Sequence, residues 1–97
     1  MHNFAKLSAL DAAAPEARKA FGAFDKAAMA ARPLPVKQQE LIAIAVALTT
    51  RCPYCVEIHS KRARRAGATT EESAGAAIAA AALGAGGAIS RGIHAVR

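Results

Sequence analysis

With 97 residues the chain is long enough for one small domain, and the whole of it, residues 1–97, reads as a single unit. Hydrophobic residues make up 54%, but alanine dominates and the aromatics are only Phe4, Phe21, Phe24 and Tyr54. Alanine favours helix yet buries little area, so a short alanine-rich chain gains stability when subunits share a core. A net charge of +6 serves solubility, the lack of a secretory pattern predicts a cytoplasmic protein, and two cysteines exclude a disulfide framework.

No segment alternates like a strand, and the helical pattern predicts an all-α fold of four to six helices. Pro15 followed by Glu16 opens a first helix with Ala20, Phe21, Phe24 and Ala28 on one face. Arg32-Pro33-Leu34-Pro35 ends it, because residues before proline avoid the helical region. Pro35 starts a second helix that runs to about residue 50. Leu41, Ile42, Ile44, Ala45, Val46 and Leu48 make it apolar nearly all round, the pattern of a buried central helix, though the run is too short to cross a bilayer. A third helix begins at the cysteines, with Cys52 as N-cap and Pro53 at the first helical position, and ends at Gly67. The basic run Lys61-Arg62-Ala63-Arg64-Arg65 falls at its end, where cations suit the helix dipole. Without interleaved aromatics or a helix-turn-helix pattern, this run gives no reason to expect a nucleic-acid partner. Thr69-x-x-Glu72 is a capping box that opens a fourth helix, running to about residue 83. Gly84-Ala85-Gly86-Gly87 reads as a break before a last short helix over 88–96. Residues 74–88 are apolar mainly through alanine and glycine, and no membrane partner is expected.

The chemistry concentrates at Cys52-Pro53-Tyr54-Cys55. Three-residue spacing on a helix puts both sulfurs on one face, where they can close a disulfide or share a metal. A helix N-terminus offers free N–H groups and partial positive charge, and both stabilise a thiolate. His59 follows Cys55 by one turn and shares the stripe, so it can carry a thiol proton near neutral pH. Glu40 lies on the preceding helix. An antiparallel pair of helices is expected to carry it away from the cysteines, toward a salt bridge with Lys37 or Arg51. Tyr54 either stacks over the thiols or packs. His2 and His94 sit near the termini and are assigned no role. Zinc needs a fourth protein ligand, or a water in its place, and no second Cys-x-x-Cys or His pair completes a closed site, so no metal is expected. A thioredoxin-like reading needs strands around the cysteines, and these are not predicted.

Three segments together resemble the alkylhydroperoxidase D-like, or carboxymuconolactone decarboxylase-like, family. They are Lys37 to Ala47 with Glu40; Arg51 to His59 with Cys-x-x-Cys-x-x-x-His; and Ala66-Gly67-Ala68-Thr69-Thr70-Glu71-Glu72. The resemblance covers roughly residues 33–83. It implies a helical fold assembled as homotrimers or homohexamers, and thiol-dependent reduction of hydroperoxides without an organic cofactor. It implies Cys55 as the attacking thiol, Cys52 as the resolving one, and His59 with Glu40 as proton relay. An external dithiol or disulfide reductase would restore the pair. The helix-terminus argument by itself favours Cys52 as the thiolate; the assignment follows the resemblance, since His59 is one turn from Cys55. The best-known members carry a second histidine where this chain has Tyr54, so one relay group is missing. Lactone decarboxylation is not expected, because that branch does not work through a cysteine pair. A general thiol–disulfide oxidoreductase or redox sensor remains an alternative, and a basic non-enzymatic binding module is a further one.

Overall fold

The structure is a computed structural model and describes residues 7–30 and 33–96. Among them every regular element is an α-helix: α1 (Leu7–Ala13), α2 (Pro15–Ala28), α3 (Val36–Thr49), α4 (Pro53–Arg65) and α5 (Thr70–Gly92). The all-α expectation holds, but two elements differ from it. α1 had no counterpart in the sequence reading. It is parted from α2 only by Ala14, which Pro15 forces out of the helical region to φ −138°. The predicted break at Gly84-Ala85-Gly86-Gly87 is absent: α5 runs through it and absorbs most of the separate helix expected over 88–96. Glycine lowers helix propensity by about 1 kcal/mol against alanine, yet it keeps its N–H donor and blocks nothing sterically. The surrounding alanines carry the helix across. The resulting helix of 23 residues has a mean hydropathy of 1.4 over its most apolar stretch, long and apolar enough to cross a membrane by length and composition. Its apolarity is mostly alanine, and one side packs on α3.

α3 is the centre of the fold, packed on α4 and on α5, while α1 and α2 pack on each other. The buried stripe of α3 is Glu40, Ile44 and Ala47, at the i, i+4, i+7 spacing of one helix face. Ala63 of α4 and Ala80 of α5 complete the buried set. Small side chains let these helices approach closely, but they remove little apolar area from water. The expectation that α3 is buried all round therefore holds for one stripe only. On its other side Ile42 is 50% and Val46 is 52% exposed. Phe21, Phe24, Ile78, Leu83 and Ile89 are exposed as well.

Two helix ends set the path of the chain, and each ends on a left-handed residue followed by an N–H that bonds back five residues. At the end of α4, Ala68 N–H donates to Ala63 O at 2.9 Å and Gly67 N–H to Arg64 O at 3.0 Å, with Gly67 at φ 95°. This is a Schellman motif with glycine at its left-handed position. At the end of α3, Cys52 N–H donates to Ala47 O at 2.9 Å, and the left-handed position is filled by Arg51 at φ 56°. A non-glycine residue there costs about 1 kcal/mol. Opposite outcomes are expected from exchanging the two residue types. Arg51→Gly should stabilise the fold by about 1 kcal/mol, and Gly67→Ala, with nothing within 4 Å of the added Cβ, should destabilise it by a similar amount through backbone strain alone. Urea unfolding of both variants checks this.

The start of α5 carries the predicted capping box. Glu72 N–H donates to Thr69 Oγ1 at 3.0 Å, and Thr69 N–H donates to Glu72 Oε1 at 2.9 Å. Lys37 Nζ donates to Glu72 Oε2 at 3.0 Å and ties α3 to α5. The Thr69 N–H first, and then the Lys37 ammonium, hold the Glu72 carboxyl below its usual range.

Candidate active site

The site grows from the link between α3 and α4. Cys52 is at once the last residue of the Schellman turn and the N-cap of α4, with extended φ −107° and ψ 90°. Its Sγ accepts the Cys55 N–H at 3.3 Å, so a sulfur occupies the place a serine or aspartate oxygen usually takes. Pro53 follows in the first helical turn, where its missing N–H costs nothing. Cys52 and Cys55 are joined as a disulfide with their Cα atoms 5.2 Å apart. Both sulfur-bearing residues are half-buried.

His59 stands one turn beyond Cys55, and its Nδ1 lies 2.6 Å from Glu40 Oε1. The two side chains are 13% and 5% exposed. A carboxylate only accepts, so Nδ1–H donates to Glu40 and leaves Nε2 as the acceptor nitrogen of the ring. Glu40 is thus brought against His59, the partner that the family resemblance gives it, although the antiparallel-helix argument by itself carried it away from the cysteines. The reason is helix arithmetic. From Glu40 the chain rises about 15 Å to the turn, and α4 then returns about 10 Å to reach His59. Glu40 does recede from the sulfurs, but His59 recedes with it. Nor does Glu40 pair with Lys37 or Arg51: Lys37 bonds Glu72 instead.

Cys55 and His59 open on two clefts. One, of about 430 Å³, is walled by Met29, Leu34, Ile42 and Val46. The Gln39 side chain holds its rim: Nε2 donates to Ala30 O at 2.7 Å and to Leu34 O at 3.2 Å. The other, of about 420 Å³, faces α2 and adds Tyr54, Phe21 and Arg18. Tyr54 therefore lines the same cleft as Cys55 and His59. A larger cavity, about 770 Å³ between the end of α3 and the later half of α5, is lined by neither cysteine. Gln39 and the left-handed Arg51 were missed by sequence reasoning. Gln39 stands in the polar start of α3 beside Gln38, where nothing in the sequence marks it out, and Arg51 gave no signal either.

The basic run supplies Arg62, Arg64 and Arg65 to the last turn of α4, where they complement the helix dipole. His94 lies in the turn after α5, and His2 lies outside the described residues. Among the described residues no group of three or more His, Cys, Asp and Glu side chains is placed to hold a metal ion.

A Cys-x-x-Cys disulfide at a helix start, backed by a buried His–Glu pair and surrounded only by helices, defines a helical dithiol protein, distinct from strand-based thioredoxin-like ones. The chain belongs to the carboxymuconolactone decarboxylase family, whose model it matches over residues 15–97. That family includes decarboxylases and peroxidases. An uncharacterized protein of the cox locus of Paracoccus denitrificans is 49% identical over 53 residues, 55% of this chain and 48% of that protein. An uncharacterized Cupriavidus necator protein is 41% identical over 69 residues, 71% of this chain and 61% of that one. The chain thus spans about half the length of these relatives. A crystal structure of a Methanobacterium thermoautotrophicum protein superimposes with a TM-score of 0.79 at 32% identity, covering 87% of this chain and 94% of that one. The sequence resemblance to the family is borne out, and the disulfide fits a redox role.

Proposed function

We propose that this protein is a thiol-dependent hydroperoxide reductase that cycles between the Cys52–Cys55 dithiol and its disulfide. The observation that supports the reading is the Cys52–Cys55 disulfide on the same helix as His59, which stands one turn beyond Cys55 and is hydrogen-bonded to the buried Glu40. His59 Nε2, its tautomer held by Glu40, takes the Cys55 proton. The Cys55 thiolate attacks the terminal oxygen of the hydroperoxide and becomes a sulfenic acid. The O–O bond breaks, and the departing alkoxide recovers the proton from His59. Cys52 condenses with the sulfenic acid, releasing water and closing the disulfide. An external dithiol returns two electrons by exchange. No organic cofactor or metal enters these steps.

The open apolar surface supports assembly of copies as a homotrimer or homohexamer. Thirteen large apolar side chains are exposed among the described residues, against four buried apolar ones, three of them alanine. A monomer of this size does not leave such a surface in water. The alanine-rich surface of α5 is read the same way, as protein-facing in a cytoplasmic protein. Sedimentation at micromolar concentration should give a single species of three or six chains, and a monomer would remove this reading.

The function is tested by thiol titration. One equivalent of cumene hydroperoxide should consume both thiols of the reduced protein and yield one alcohol per chain. Tyr54, in place of a second histidine, favours the alternative of a general thiol–disulfide oxidoreductase. That alternative gains if dithiol exchange is fast while peroxide leaves the thiols intact.

A further inference from the structure

The two residues of the disulfide line different clefts. Cys55 lines the two clefts that also contain His59. Cys52 lines a separate one of about 430 Å³, with Leu48, Arg51, Pro53, Val56 and Glu57. We propose that the reducing dithiol enters through this Cys52 cleft and attacks Cys52 Sγ, while hydroperoxide reaches Cys55 from the His59 side. The inference rests on the hydroperoxide reductase reading for the second half of that statement and stands on the disulfide alone for the first.

Disulfide exchange is an in-line displacement: the attacking thiolate approaches one sulfur from the side opposite the sulfur that leaves. A thiolate in the Cys52 cleft meets Cys52 with Cys55 as leaving group. The S–S bond breaks, a bond forms from Cys52 to the reductant sulfur, and Cys55 leaves as a thiolate beside His59. That is the position in which the next hydroperoxide finds it. The second thiol of the reductant, as thiolate, then attacks the reductant's own bound sulfur and closes a cyclic disulfide. Cys52 leaves as a thiolate, stabilised by the Cys55 N–H at the helix N-terminus, 3.3 Å away in this structure. Each leaving sulfur therefore has its own stabilising group, and leaving-group stability speeds exchange. Attack from the other side gives a poorer sequence. It would place the reductant in the peroxide clefts and leave it bonded to Cys55 beside the relay. Arg51, held in the left-handed conformation, and Glu57 flank the Cys52 cleft and supply its charged contacts.

Trapping on the oxidised wild-type protein tests this without any peroxide. The disulfide form is treated briefly with 2-mercaptoethanol, a monothiol that cannot cyclise away. The freed cysteine is then alkylated, and fragmentation mass spectrometry places each group. The expected result is the thiol adduct on Cys52 and the alkyl group on Cys55; the reverse pattern overturns the proposal. The half-reactions are then separated by stopped flow. Leu48→Trp, which crowds the Cys52 cleft, should slow reduction by dihydrolipoamide about tenfold and leave oxidation by cumene hydroperoxide unchanged. Ile42→Trp should do the opposite. Equal slowing of both half-reactions by either variant, at unchanged oligomeric state, overturns the two-cleft arrangement. If wild type does not react with peroxide, the hydroperoxide reductase reading falls, while the adduct on Cys52 still upholds the entry route of the dithiol.

Discussion

Cys55→Ser is expected to abolish catalytic hydroperoxide turnover, a loss of roughly 10³-fold or more, because a serine hydroxyl at the same position is not a usable nucleophile toward peroxide oxygen. Cys52→Ser should behave differently. Its first turnover should proceed at the wild-type rate, since Cys55 and the Glu40–His59 pair that serves it are intact. The reaction should then stop at a Cys55 sulfenic acid, which a dimedone adduct would reveal by mass. The contrast between the two variants is the informative part. If instead Cys55→Ser keeps the first turnover and Cys52→Ser loses it, the roles of the sulfurs are exchanged. The helix-terminus argument would then have been the better guide, for it is Cys52 Sγ that accepts an N–H in this structure.

The second large effect is expected at Glu40. Its carboxylate is 5% exposed and accepts the His59 Nδ1–H at 2.6 Å. Glu40→Gln keeps the size and an acceptor oxygen, so the fold should survive with little change. The charge that stabilises an imidazolium is gone, and the peroxide half-reaction should slow by about 10²-fold. Glu40→Ala is a different substitution. It orphans the His59 N–H in a buried place and leaves a void against α4, for a cost of about 3 kcal/mol. In a domain this small that lowers the melting temperature by more than about 10 °C. Calorimetry and stopped-flow kinetics on both variants separate the two contributions. A Glu40→Gln protein that reacts at the wild-type rate would reduce Glu40 to a structural partner of His59.

Local signals were read well where the responsible residues lie next to each other. Pro53 after Cys52, Gly67 at the end of α4, and Thr69 with Glu72 each act through bonds within a few residues, and each stands where its chemistry puts it. The glycine cluster at 84–87 was a local signal too, but a weak one. Glycine disfavours a helix without forbidding it, and the alanines on either side outweighed it. Arg51 shows the converse. Nothing in an arginine announces a left-handed residue, and the conformation follows from the Schellman closure that brings Cys52 N–H to Ala47 O.

Sequence alone determined the helical class, the Cys52–Cys55 spacing, the N-cap position and the stripe shared with His59, because all of these depend on the helical repeat within one element. Tertiary structure alone decided three things. It returned α4 along α3 so that Glu40 meets His59 nineteen residues away. It left one side of α3 open while burying the stripe of Glu40, Ile44 and Ala47. It also set Cys52 and Cys55 against different clefts. Each is a matter of how far one helix runs before the next comes back and at what face they touch, and no periodicity within a single helix carries that information.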